Sequence, residues 1–155
     1  ARAVASRRVA RPKLRMQIRP YEARDRAQCL GLLRANTPTW FDEAEAAQYE
    51  RFLDAPRGDY FVVDDGGTIL GAGGIACTDD GVALLCWGMV RPDWQHMGIG
   101  SALLRHGIEA VPAARCVHVT TTPRAQGFYE EHGFHAIAFE RDGLGRGLDR
   151  VEMER

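Results

Sequence analysis

Two glycines one residue apart, Gly98 and Gly100, lie in the stretch Trp94-Gln95-His96-Met97-Gly98-Ile99-Gly100-Ser101-Ala102-Leu103-Leu104. A strand-like run gives way there to a helix-like one. Glycine lets a backbone approach a ligand closely, and a helix N-terminus offers unpaired N–H groups that attract phosphate oxygens. Three neighbours are open at this point: a dinucleotide, another phosphate ligand, or simply the adjoining chain. A dinucleotide loop reads G-x-G-x-x-G or G-x-G-x-x-A and precedes a strand that ends in an acid. Here Leu103 takes the third glycine's place, and Cys116–Thr120 ends in threonine. No Gly-Lys-Ser/Thr follows, so a Walker-type loop is excluded as well.

The remaining reactive side chains are scattered. Cys29, Cys77, Cys86 and Cys116 are widely spaced and include no C-x-x-C pair, so they read as buried thiols rather than a zinc site or a disulfide framework. His132 and His135 flank a helix-ending glycine, which is poor geometry for a shared metal, and no metal is expected. Ser101 lacks the G-x-S-x-G setting of an activated serine. Ala125, Phe128, Tyr129 and His132 form an i, i+3, i+4, i+7 stripe, so packing alone could account for Tyr129. Asp79 and Asp80 sit in a turn pattern, where solvated carboxylates are expected.

These residues need a frame. Met16–Tyr21 has a short strand pattern, and helical spacing runs from Arg24 to Ala35 until Asn36-Thr37-Pro38 stops it. A second helix fits Asp42–Asp54. Tyr60–Val63 predicts a strand, followed by the turn Asp64-Asp65-Gly66-Gly67. Thr68–Thr78 contains Gly71, Gly73 and Gly74, which predict a bulge or close packing. Val82–Val90 is almost wholly apolar, as in a central strand covered on both faces. Ile99–Val111 predicts a helix and Cys116–Thr120 a further buried strand. Thr122 and Pro123 open a short helix as N-cap and first-turn residue, ending at Glu131. Phe134–Glu140 and Leu148–Met153 are the last strands, joined by the glycine-rich loop Asp142–Gly147. The order βααβββαβαββ predicts an α+β fold: a mostly antiparallel mixed sheet of six to seven strands with about four helices on its faces.

At 155 residues the chain is long enough for one domain with a real core, assigned to residues 16–155. Residues 1–15 carry six basic side chains and no acid. They read as a targeting segment, an arm or sequence foreign to the domain. From Met16 onward 14 basic residues face 21 acidic ones, a net of −7. That balance argues against a nucleic-acid binder and suits a cationic partner such as an amine. No apolar run is long enough to span a membrane, and with reduced cysteines the expected compartment is the cytoplasm.

The flanks of the glycine pair carry more than the pair itself. Val90, Pro92, Gln95, Gly98 and Gly100 match V-x-P-x-x-(Q/R)-x-x-G-x-(G/A), a signature of the GNAT-type N-acetyltransferase superfamily. Ala125-Gln126-Gly127-Phe128-Tyr129-Glu130-Glu131-His132-Gly133-Phe134 resembles the same family's A-x-x-(L/F)-Y-x-x-x-G-F segment. The element order agrees over about Met16–Met153.

The resemblance implies acetyl-CoA as acyl donor. Its pyrophosphate would lie on Gln95, His96, Met97, Gly98, Ile99, Gly100 and Ser101, and its pantetheine arm beside Met89 and Val90. Thr122, where relatives often have an asparagine, and Ala125 would approach it from the next helix. Tyr129 would be the general acid that protonates the departing thiolate. The loops Asn36–Phe41 and Asp142–Gly147 are expected to select the acceptor: Trp40 and Phe41 either wall its pocket or staple the next helix, and Trp87 faces either the core or that pocket. Many relatives carry a carboxylate on the strand before the cofactor loop, but Val82–Val90 has none. The base is therefore unassigned, and a coenzyme-binding module with little catalysis is the competing reading. The implied acceptor is a small-molecule or peptide amine. The exposed last strands could support a homodimer.

Overall fold

The structure, a computed structural model, describes residues 15–155. The basic extension of residues 1–15, Arg15 apart, lies outside the described residues. The elements are β1 (Met16–Pro20), α1 (Arg26–Ala35), α2 (Ala46–Asp54), β2 (Asp59–Asp65), β3 (Thr68–Cys77), β4 (Val82–Val90), α3 (Ile99–Glu109), β5 (Cys116–Thr121), α4 (Pro123–Glu131), β6 (His135–Gly145) and β7 (Leu148–Glu154). Seven strands form one sheet in the order β1-β2-β3-β4-β5-β7-β6. Every adjacent pair is antiparallel except β4 and β5.

Local chemistry explains most of these elements. Gly66 and Gly67 both have positive φ, which a two-residue hairpin between β2 and β3 demands. The acid Asp42 starts a short 3-10 turn before α2, accepting from the Ala44 N–H while Glu45 accepts from the Asp42 N–H. Helices α1 and α2 bury Cys29, Leu32, Leu33, Tyr49 and Leu53 against β2, β3 and β4. On the opposite face, α3 and α4 cover Ile75, Val117, Val119, Val151 and Met153.

The bulge expected among the β3 glycines occurs, but the extra residue is on β4. Ala72 pairs with Met89 and Gly74 with Cys86, so Gly73 alone opposes Trp87 and Gly88. Trp87 takes φ +47 there. Gly74 makes room: a Cβ on it would lie 2.6 Å from the Tyr60 ring and 2.9 Å from the Asp59 carbonyl oxygen.

Strands β4 and β5 pair over three residues only, Val82 with Cys116, Ala83 with Val117 and Leu84 with His118, and then separate. This fork corrects the expectation that β4 is covered on both faces: Leu84 is 38% exposed, because α1 and α2 stop short of β5. Only Cys29 is fully buried, while Cys77 is exposed and Cys86 and Cys116 are half-buried. Strand β5 alternates buried Val117 and Val119 with outward His118 and Thr120 instead of being buried throughout. Strand β6 runs on to Gly145, which leaves only Arg146 and Gly147 as the turn into β7.

Candidate functional site

The glycine stretch forms the entry to α3. A 3-10 turn over Pro92–Trp94 leads into His96 at φ +61 and Gly98 at φ +86. Gly98 is the N-cap residue, so no side chain can satisfy the first turn. The first helical bond runs from the Ala102 N–H to the Gly98 carbonyl, 3.0 Å. The N–H groups of residues 98–101 therefore have no partner within the helix, and the positive end of its dipole lies there. Ile99 turns its side chain into the core, Ser101 is half-buried, and His96 and Met97 are exposed. Gly100 faces α4: a Cβ there would lie 3.5 Å from the Phe128 ring and 3.8 Å from Val90 Cγ2, ordinary contact distances. Packing within the protein does not require glycine at position 100.

The end of β4 is fixed by a residue that sequence reasoning missed. Asn36, 2% exposed, donates from Nδ2 to the carbonyls of Leu32 (2.8 Å) and Val90 (3.1 Å). Gln95 donates from Nε2 to Asn36 Oδ1 (3.1 Å) and to the Val90 carbonyl (3.2 Å). The Gln95 side chain is thus turned onto the protein, tying the loop to the strand. The only sign of Asn36 in the sequence is its place in a helix-stopping tripeptide. Next along, the Arg91 N–H bonds the Leu70 carbonyl at 2.8 Å, and Gly71 pairs with Val90. Antiparallel alternation then turns the Val90 N–H toward the fork and the Met89 backbone toward β3. Met89 also buries its side chain.

Helix α4 presents Thr122, Ala125 and Tyr129. Thr122 has the extended backbone of an N-cap residue, but its buried hydroxyl makes no hydrogen bond, so the expected side-chain cap is not formed. The Ala125 N–H bonds the Thr122 carbonyl instead, at 3.1 Å. The Tyr129 ring packs edge-on against Phe128 and Phe134, with centroids 5.0 and 5.4 Å away. Burial pushes its phenol up to about 12, so it is a donor throughout the ordinary pH range.

A family model described as acetyltransferase (GNAT) domain matches residues 56–136, which include the fork, the α3 entry and α4. The chain belongs to the GNAT acetyltransferase family. Solved structures agree on the GNAT fold. A Desulfovibrio desulfuricans protein assigned to the family shares 21% identity at TM-score 0.78, over 90% of this chain and 98% of that one. The ribosomal-protein-S18-alanine N-acetyltransferase of Escherichia coli shares 22% at TM-score 0.72, over 90% and 92%. An aminoglycoside 6'-N-acetyltransferase complexed with coenzyme A shares 14% at TM-score 0.73, over 90% and 96%. Comparison with curated proteins gives no match.

Within this GNAT domain the three aromatic residues expected at the acceptor site do not all meet. Phe41 and Trp87 stack at 6.1 Å, and Tyr49 lies 4.8 Å from Trp87. Tyr60, hydrogen-bonded to Tyr49 at 2.7 Å, donates to the Trp87 carbonyl at 3.0 Å, which the bulge has freed from the ladder. Periodicity could not orient Trp87; the bulge directs it toward α2. Trp40 makes no ring contact with this group and is anchored by its N–H to the Asn36 carbonyl, 2.8 Å. The end of β6 reaches the residue just after the first of the two loops expected to select the acceptor: a Cβ at Gly145 would lie 2.5 Å from Asp42 Oδ2.

On the same sheet face, beyond the reach of α1 and α2, lies an open cleft of about 620 Å³. Leu84 and Cys86 line it from β4, His118 and Thr120 from β5, and Arg150 and Glu152 from β7. His118 Nε2 lies 3.1 Å from Glu152 Oε2, which also accepts from the Thr120 hydroxyl at 2.8 Å. Neither His118 nor Glu152 belongs to a local motif; only the alternation around Val117 and Val119 hints that His118 faces away from the helices. Among the described residues no group of three or more His, Cys, Asp or Glu side chains could hold a metal ion. No helix among them is long and apolar enough to cross a membrane.

Proposed function

We propose that this chain is an acetyl-CoA-dependent N-acetyltransferase that passes the acetyl group directly to a primary amine in a ternary complex. One observation carries the reading: β4 and β5 part at Leu84 and His118, and the N–H groups of residues 98–101, which make no bond within α3, stand beyond the open end of β4. A pyrophosphate held by those donors would have its pantetheine arm led into the fork, toward which the Val90 N–H points. The residues present suit such a ligand. Gly100 lacks a Cβ that the protein itself would tolerate, and Thr122 keeps a buried hydroxyl without a partner.

In the reaction the amine nitrogen attacks the thioester carbonyl carbon, the C–N bond forms and the C–S bond breaks. A backbone N–H beside the carbonyl oxygen stabilises the developing oxyanion. Tyr129 gives its proton to the thiolate sulfur, whose own proton affinity rises in the same dry surroundings. Phe41 and Trp87 wall the acceptor side, and the acidic body of the domain favours a cationic acceptor.

The test is acetyl-CoA consumption with a panel of aminoglycosides, polyamines and peptides with free N-termini. Turnover with at least one primary amine is expected. Acetyl-CoA binding without turnover on any amine would overturn the assignment. Gly100→Ala adds a binding arm. Its methyl fits the protein, and exchanging glycine for alanine within a helix stabilises by about 0.4–1 kcal/mol. Isothermal titration should nevertheless show acetyl-CoA affinity about tenfold lower, or about 1.4 kcal/mol, with the melting temperature unchanged or slightly raised.

A further inference from the structure

The amine must lose a proton, and β4 offers no carboxylate to receive it. We propose that His118 is the general base, positioned by Glu152, and that the acceptor reaches it through the cleft on the face that α1 and α2 leave bare. This rests on the N-acetyltransfer proposed above.

The placement is specific. His118 is in the last residue pair before the fork opens, and its neighbour two residues on, Thr120, faces the gap opposite Cys86. Its side chain is 26% exposed, open enough to meet a substrate yet held by a partner. Glu152 is only 17% exposed; its Oε2 accepts from the Thr120 hydroxyl and lies 3.1 Å from His118 Nε2, and its Oε1 lies 3.3 Å from Arg150 Nε. A carboxylate oxygen beside Nε2 favours the tautomer with the hydrogen on Nε2 and the lone pair on Nδ1. Among the described residues Nδ1 has no hydrogen-bond partner. The arrangement leaves one ring nitrogen without a partner on a side chain that lines the cleft at the base of the fork.

The other titratable groups on this face serve less well. Burial pushes the Cys86 thiol up to about 11, leaving it protonated. Arg150 is already paired with Glu140 at 2.7 Å, and a guanidinium has no acceptor site for a proton. Glu154 stands directly opposite His118 in the ladder, and His135 opposite Glu154. Tyr129 belongs to α4, which packs on the other face of the sheet. Base and acid therefore lie on opposite faces of the sheet. The nitrogen sheds its proton to His118 Nδ1 on the cleft side, and the sulfur takes one from Tyr129 on the helix side. Solvent in the open cleft removes the proton from the imidazolium, and water restores the phenol.

His118→Gln should lower kcat/KM by about 10²-fold, while acetyl-CoA affinity stays within twofold. In His118→Gly, free imidazole added to the assay should restore part of the lost rate, which a purely structural role would not allow. Glu152→Gln should lower kcat roughly tenfold with acetyl-CoA affinity unchanged, and added imidazole should not restore it. Circular dichroism and melting temperature confirm that each variant is folded. An active wild type whose His118→Gln variant keeps its rate, or a folded, acetyl-CoA-binding His118→Gly variant that imidazole does not rescue, overturns the base assignment alone. An inactive wild type overturns the acyltransfer reading and the base with it.

Discussion

Tyr129→Phe is expected to lower kcat by about two orders of magnitude, the usual worth of a positioned proton donor, while the KM for acetyl-CoA changes less than threefold. The asymmetry follows from the contacts. The ring packs against Phe128 and Phe134, and phenylalanine keeps that packing. The hydroxyl has no hydrogen-bond partner among the described residues, so removing it strands no protein group. Because burial holds the phenol at about 12, its loss of a proton would end activity only far into the alkaline range. Steady-state kinetics across pH checks both parts. A wild-type rate that survives the substitution, or a basic limb near neutrality that disappears with it, would remove Tyr129 from the acid role.

Arg19→Met is expected to destabilise the fold by about 3–5 kcal/mol, as breaking one side of a buried ion pair commonly does. Arg19 on β1 makes two bonds of 2.8 Å to Asp25, whose side chain is 4% exposed, and a third to Asp64 at 3.0 Å. Asp25 in turn accepts from the Glu22 N–H at 2.9 Å, which sets the entry to α1. The Arg19 guanidinium is the main reason that the Asp25 carboxyl is held below its ordinary value, with the Glu22 N–H assisting. A depressed folded-state value adds stability that is fully present above the unfolded-state pKa of about 3.9. That stability is lost as pH falls through the folded-state value. In the variant a buried carboxylate without its partner becomes easier to protonate, so the gap between the two proteins should narrow from pH 6 toward pH 4. Denaturant titrations at several pH values measure this, and a gap that widens on acidification would contradict it.

The secondary structure was largely legible because helices and hairpins are written locally. The two glycines after Asp65 set a turn, the Thr122-Pro123 pair starts a helix, and the apolar runs mark strands. The coverage of β4 was not legible, since its apolar sequence looks the same whether a neighbour stays paired or leaves after three residues. Long-range polar ties were hidden for the same reason. Asn36 reads as a helix stop, yet it supports the Val90 carbonyl 54 positions away. The candidate cofactor segment, Gln95 to Ser101, is continuous and could be found by its spacing. The pair of His118 and Glu152 comes from two strands brought together only by the sheet order, and no spacing announces it. Trp87 shows an intermediate case: its type suggested an acceptor wall, but only the bulge determines where it points.

The seam between β4 and β5 also bears on how firmly the molecule holds together. Backbone pairing crosses it at three residue pairs, and the helices bridge it with a core on one face only. On the function proposed above, the acyl donor would act there as a splint, bound by the folded chain and ignored by the unfolded one. At a hundred times its dissociation constant such a ligand adds about 2.7 kcal/mol to the folded state. Donor supply would then govern the lifetime of the catalyst as well as its rate, and a chain starved of donor would be the first to be unfolded and degraded.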